Sequence, residues 1–355
     1  MDNVNYLPKM LPFVTWHGLL ASEPFTLLDV GSAMGIDPIW QSFGSHLVAY
    51  GFEPQIEECR RLNNNEKNPR VRYFPNFVGL PENHPFKVFE RYYKPKRADY
   101  FNPFSRTSSV AAINRKKPGM EATSSIEATE KWHEQNLAIE TIALSDFVQS
   151  NGINSVDFVK IDTDGADYEA LQSIAQSIRS CRILGFMIET PFFGHPDDSS
   201  NDLHNIDRFM KEQGFMLYNL SVNRYSRAAL PAIFSVNHPW QTVSGQPMWG
   251  DLIYLRDGAA TDYTKVWGES LSPVKLLKLA CLYEVFQVPD CAAELIVNNM
   301  DAIATLIDPE QLLDALTPPL HGRRLSYREY IAEFEHSFES FFPDAGRENS
   351  WSMKK

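Results

Sequence analysis

At 355 residues the chain is long enough for one α/β domain of ordinary size plus an added piece. With 43% hydrophobic and 22% charged residues, it has the balance of a folded globular protein, which excludes the disordered and fibrous classes. A formal net charge of −12 excludes a protein whose main partner is a nucleic-acid backbone, because that partner demands a surplus of lysine and arginine. The first segment, Met1 to Leu20, carries Asp2 and interrupted apolar residues in place of a basic start and an apolar run. No stretch approaches the length of a membrane span, so the expected location is cytoplasmic.

Short β-rich runs then alternate with helical patterns. Seven strands are predicted: 25–30, 47–52, 71–78, 156–161, 183–188, 215–220 and 252–255. Several are almost wholly apolar, as strands covered by helices on both faces must be. Right-handed crossovers then make the sheet mostly parallel, a doubly wound, Rossmann-like α/β fold. Between the third and fourth strands, residues 80–155 form an unusually long insertion with five prolines and the basic clusters Arg91 to Arg97 and Arg115 to Lys117, ending in helical spacing over 142–150. After Asp257 only helical patterns remain, at 273–286, 291–298 and 326–342. The expected organisation is therefore an N-terminal segment (1–24), a catalytic domain (25–257) and a C-terminal helical appendage (258–355), whose apolar stripe offers a route to a homo-oligomer. Cys59, Cys181, Cys281 and Cys291 lack CxxC spacing, so neither a zinc site nor a disulfide framework is expected.

The first strand runs through Asp29 into Gly31-Ser32-Ala33-Met34-Gly35, followed by Asp37 as a helix N-cap and Pro38 in its first turn. Glycine at 31 permits close approach of a ligand, and the helix start offers N–H groups to a carboxylate or phosphate. Laid on from Gly31, the dinucleotide fingerprint GxGxxG meets Ala33 and Ile36 where glycines are needed. That disfavours a nucleotide-dependent oxidoreductase and favours a cofactor bearing a carboxylate. Glu53, followed by Pro54, ends the second strand 22 positions after Gly31, where such folds place an acid on ribose hydroxyls, so adenosine is implied. The fourth strand ends in Lys160-Ile161-Asp162-Thr163-Asp164-Gly165, with Asp162 at the ligand-binding edge of the sheet and Asp164 doubling as an N-cap for the next helix.

With Leu28-Asp29-Val30-Gly31, Gly35, Phe52-Glu53-Pro54 and, most specifically, Val159-Lys160-Ile161-Asp162-Thr163-Asp164-Gly165, the chain resembles the FkbM family of methyltransferases over about residues 25–189. Thr107-Ser108-Ser109 sits where that family tends to carry a serine pair, and Asp164 stands where its usual residue is glutamate. The resemblance implies a class I methyltransferase fold, S-adenosylmethionine as cofactor and a hydroxyl acceptor on a sugar or related metabolite. Asp29, Gly31, Ser32, Gly35, Glu53, Pro54, Ser108 and Asp162 are its expected cofactor residues.

Methyl transfer to a hydroxyl requires alignment of the reacting atoms and a group that takes the hydroxyl proton. Asp162, Asp164 and His195 are the candidates for catalysis. Glu189, Arg224, Tyr225 and Trp249 are the candidates for holding the acceptor, because cations and polar groups beside aromatic rings suit a sugar. Carboxylates with a histidine also suit Mg²⁺, and spacing alone leaves that choice open. The segment around Trp249 further resembles FkbM-type proteins of surface-polysaccharide pathways, which implies a nucleotide sugar or glycan acceptor. A catalytically silent, cofactor-binding assembly protein of glycan synthesis is the non-enzymatic alternative.

Overall fold

The computed structural model describes residues 8–80, 139–163, 165–194, 198–226, 241–260, 262–263, 265, 268 and 270–341. They form two compact units, one of residues 24–257 and one joining 1–23 to 258–355. After α1 (Met10–Trp16), which belongs to the second unit, the first unit runs β1 (Phe25–Val30), α2 (Pro38–Gln41), β2 (Leu47–Phe52), α3 (Ile56–Asn65), β3 (Val71–Phe74) and β4 (Phe77–Val78). It continues through β5 (Thr141–Ile142), α4 (Leu144–Ser150), β6 (Phe158–Ile161), α5 (Asp167–Ser173) and β7 (Gly185–Pro191). It closes with α6 (Leu203–Glu212), β8 (Met216–Leu220), β9 (Asn223–Tyr225) and β10 (Gln246–Leu255).

The main sheet has the order β3-β2-β1-β6-β7-β10-β8, with β9 joined to β10. The pairs from β3 through β7 are parallel, and only β10 runs against its neighbours. This is the mostly parallel Rossmann-like sheet expected from the strand pattern. Winding proceeds from β1 toward β2 and β3 on one side and from β6 toward β7 on the other, so a topological switch point lies between β1 and β6.

One face of the sheet carries Leu28, Val30, Val159, Ile161 and Ile188, all buried in a core shared with Phe147 and Val148 of α4 and Ala170 and Leu171 of α5. The alternate positions point the other way. Phe25 stacks on Phe43 at 4.0 Å between ring centroids, and Phe158 meets Trp40 at 4.7 Å. Burying rings of this size stabilises the fold by roughly 2–3 kcal/mol each. Further along this second face, toward the C-terminal ends of the strands, the apolar positions give way to Asp29 and Lys160, which are direct register partners.

Three departures from the sequence pattern have plain causes. The third strand breaks into β3 and β4 because Pro75 offers no N–H to the ladder, and β4 pairs with β5 in a small separate sheet. β7 reaches beyond its apolar core to Pro191 because its antiparallel pairing with β10 continues to Trp249 opposite Pro191, and β10 reaches back to Gln246 because that stretch pairs with β9. α2 is a single turn. Its Asp37 cap is present, donating no proton but accepting from Ile39 N–H at 2.8 Å, yet so short a helix adds little dipole for an anion.

The second unit is helical: α1, α7 (Pro273–Val285), α8 (Pro289–Asn298), α9 (Met300–Ile303), α10 (Pro309–Leu316) and α11 (Tyr327–Ser337). α7 is not the two-faced surface helix its stripe suggested: every residue from Lys275 to Val285 is buried. Its polar members are matched. Glu284 accepts from Lys9, Met10 and Leu11 N–H at 2.6, 2.8 and 2.8 Å, capping the start of α1, and Lys278 Nζ lies 3.0 Å from Glu23. The N-terminal segment is thereby an integral part of the helical unit. Among the described residues no helix is long and apolar enough to cross a membrane.

Candidate methyl-transfer site

The site is assembled along one edge of the sheet, at the C-terminal ends of the four parallel strands β2, β1, β6 and β7 and beside the middle of antiparallel β10. Val30 pairs with Phe52 and Ile161, Ile161 with Ile188, and Glu189 with Asp251. Gly31 N–H donates to Phe52 O and Asp162 N–H to Val30 O, both at 3.0 Å, carrying the ladder one residue past the strands. Glu53, Gly31, Asp162, Glu189 and Asp251 therefore follow one another along the edge. Asp29 and Lys160 lie in the row beneath, on the same face. Four acids of this row come from four different strands and are brought together by register alone.

Gly31 has φ +83°, and a Cβ there would stand 1.7 Å from the carbonyl oxygen of Asp162. The close approach that demands glycine is therefore made by the neighbouring strand end, not by a ligand as the sequence suggested. The loop amides are also largely used within the protein: Gly31 and Ser32 N–H both donate to Phe52 O, Gly35 N–H to Ser32 O, and Ile36 N–H to the Tyr73 hydroxyl. What the loop leaves is side-chain polarity. Ser32 Oγ and Asp29 Oδ1 are buried without a hydrogen-bond partner.

Asp29 is 1% exposed, and burial pushes its carboxyl up to about 6 despite the opposing charge of Lys160. Lys160 Nζ stands 3.4 Å from Asp29 Oδ1, 3.3 Å from Asp162 Oδ2 and 3.4 Å from Gly31 O. Burial pulls the ammonium down, but Asp29 and Asp162 outweigh it and hold Lys160 above the ordinary lysine range. Asp162, with a side chain 40% exposed, is the member of this trio that reaches the surface. Glu53 is buried and accepts from Gln55 N–H at 2.8 Å, and desolvation raises its carboxyl above the usual range. A buried acid of this kind at the end of β2 suits a pair of ligand hydroxyls.

Two further acids near this edge were not singled out from the sequence. Asp251 lies opposite Glu189 and is gripped by Ser221, whose Oγ donates to Oδ2 and accepts from Asp251 N–H, each at 2.9 Å. Burial raises Asp251, and the charge of Asp162 raises it further. Its signal was a lone acid in the apolar run 248–255. Asp167 organises the loop after β6. It accepts from Thr163 N–H at 2.7 Å and Thr163 Oγ1 at 2.9 Å through Oδ1, and from Gly165 N–H at 3.2 Å and Asn201 Nδ2 at 3.1 Å through Oδ2. α5 accordingly starts at Asp167, with Ala166 as its N-cap.

On β10, Trp249 shares a face with Asp251 and donates from Nε1 to the Tyr225 hydroxyl at 3.2 Å. Tyr225 is itself buried and supports the indole. Arg224 lies opposite Pro247 and donates to Gly245 O at 3.1 Å, four residues or roughly 13 Å along β10 from Asp251. It is the outlier of the expected acceptor group. Ser108, Asp164 and His195 lie outside the described residues. Among the described residues no group of three or more histidines, cysteines and acids could hold a metal ion.

The sequence matches the family profile described as the methyltransferase FkbM domain over residues 29–217, just over half of the chain and all of the edge from Asp29 through Glu189. The chain belongs to the FkbM methyltransferase family. It is thus a methyltransferase of the Rossmann-like class, with S-adenosylmethionine as methyl donor. A precorrin-6Y C5,15-methyltransferase from Geobacter metallireducens GS-15 is similar over 72% of this chain and 93% of that one, at 9% identity and a TM-score of 0.30. The methyltransferase domain of METTL16 is similar over 70% of this chain and 68% of that one, at 10% identity and a TM-score of 0.28. Human methyltransferase-like protein 13 in complex with SAH is similar over 79% and 90%, at 11% identity and a TM-score of 0.31. No curated protein sequence matches the chain.

Proposed function

We propose that this FkbM-family protein methylates an oxygen, the hydroxyl of a sugar, nucleotide sugar or glycan. The observation that carries the reading is the ordered edge Glu53, Gly31, Asp162, Glu189, Asp251, which divides at the switch point into a cofactor half and an acceptor half. The residues present fit the cofactor. Glu53, followed by Pro54, suits the ribose hydroxyls. Ser32, between Gly31 and Gly35, brings a buried hydroxyl without a hydrogen-bond partner, and Asp29 a buried carboxylate paired with Lys160 at 3.4 Å. S-adenosylmethionine supplies an electrophilic methyl group on a sulfonium. The protein's own work is to align the acceptor and receive its proton.

Asp162 suits that proton: its side chain is exposed at the edge, with the Lys160 ammonium 3.3 Å away. Asp164, two residues further on, and His195, in the segment that follows β7 in the sequence, are further candidates for the same work. Glu189 and Asp251 are acids suited to orienting sugar hydroxyls, and the Trp249 ring, braced by Tyr225, offers an apolar face. In this reading residues 25–257 are the catalytic domain and 258–355, with the N-terminal segment, an appended module through which copies associate. The setting is surface-polysaccharide assembly in the cytoplasm.

The test is incubation with methyl-labelled S-adenosylmethionine and a panel of nucleotide sugars and glycans, with the product located by NMR. A new O-methyl signal on a sugar supports the reading, and label on nitrogen or carbon contradicts it. With the acceptor in hand, Asp162→Asn is expected to lower kcat by ~10²–10⁴ while S-adenosylhomocysteine affinity stays within about threefold.

A further inference from the structure

Lys160 is a cation in the row beneath Gly31 and Asp162, on the same face of the sheet, where the expected cofactor is itself cationic. Its side chain is 12% exposed, and its ammonium lies within 3.4 Å of two carboxylates and of the carbonyl of Gly31, the residue at the switch point. With both acids ionised, the Asp29–Lys160–Asp162 group carries one net negative charge. Its field extends along the edge: the charges of Asp162 and Lys160 act in opposite directions on Asp251, two strands away from β6.

The two ligands of a methyl-transfer site differ by one charge near the reacting atom. S-adenosylmethionine carries a sulfonium, and its product S-adenosylhomocysteine a neutral thioether. An edge with four acids and no compensating cation would discriminate strongly between them. We propose that Lys160 sets the cofactor-to-product preference of the site, offsetting the acids of the edge so that the sulfonium is favoured over the thioether only moderately. The inference rests on the reading of this edge as the S-adenosylmethionine site. Lys160 acts here through charge, as a positioning and specificity residue that need not touch the ligand.

A unit charge about 8 Å from the sulfonium at an effective dielectric of about 40 changes affinity roughly fivefold. The predicted quantity is the ratio of dissociation constants, homocysteine form over methionine form, within one protein. A merely structural defect weakens both ligands and leaves this ratio alone.

The test is calorimetric titration of the full-length chain with each ligand at pH 7.5, for the natural sequence, Asp29→Asn and the double variant Asp29→Asn/Lys160→Gln. Asp29→Asn keeps shape and leaves Lys160 opposed by Asp162 alone, so the ratio falls roughly fivefold. Removing the lysine as well restores the net charge, and the ratio returns to within about twofold of the natural protein's. Lys160→Gln alone gives a ratio that rises between pH 6 and 9, as Asp29 loses the ammonium that helps it ionise. Ratios that agree within twofold across all these variants overturn the inference, as does an Asp29→Asn protein with native circular dichroism that binds neither ligand. Failure of the natural chain to bind either compound overturns the cofactor reading itself, so the two failures are distinguishable.

Discussion

Gly31 and Asp29 illustrate how a residue that looks like a ligand contact can be required first by the fold. Alanine at 31 would need a left-handed backbone at φ +83° and would press its Cβ into the Asp162 carbonyl. A backbone clash has no flexible partner to yield, so Gly31→Ala is expected to lose about 3 kcal/mol or more in urea unfolding, or to fail to fold. At Asp29 burial pushes the folded carboxyl up to about 6 from an ordinary 3.8. Between those values the folded protein binds more protons than the unfolded chain, so stability is greatest below pH 4 from this group and falls as pH rises toward 6. The difference of about two pH units corresponds to roughly 3 kcal/mol. Urea midpoints measured from pH 4.5 to 6.5 should show this decline in the natural protein and a shallower one in Asp29→Asn.

At the scale of elements, the strand-end loop after β6 depends on Asp167, whose two oxygens accept four hydrogen bonds. Asp167→Asn exchanges one acceptor oxygen for a donor. The amides of Thr163 and Gly165 should then exchange with solvent at least tenfold faster while those of β6 stay protected, as mass spectrometry or NMR would detect. In the helical unit, the buried carboxylate of Glu284 holds the first amides of α1. Glu284→Gln is expected to lower stability by about 3 kcal/mol, read as a fall in Tm, because the amide has one acceptor oxygen where the carboxylate has two, and its NH2 would face a backbone N–H of α1.

These same elements mark how far the sequence could be read. The strands were legible because their apolar runs are broken at fixed positions by Asp29, Lys160, Glu189 and Asp251, and the loops after β1 and β6 because their motifs are local. Register was not. That Asp251 meets Glu189, or that the Asp162 carbonyl fills the space beside Gly31, depends on how β10 pairs with β7 and β6 with β1. Likewise the stripe of α7 gave no sign that Lys278 and Glu284 would be buried, since their partners Glu23 and Leu11 lie more than 250 residues away in the chain.

For the whole molecule, the excess of acidic residues counts in two ways. A net charge of −12 disfavours close approach of nucleic-acid backbones, and at the sheet edge the acids are concentrated where the proposed cationic cofactor and acceptor would meet. The account's central claim is that this edge binds S-adenosylmethionine. Isothermal titration calorimetry of the purified chain with S-adenosylmethionine, S-adenosylhomocysteine and NADH tests it most directly. The account predicts saturable binding of the first two at one site per chain and none of NADH, and binding of NADH alone, or of none of the three, would contradict it.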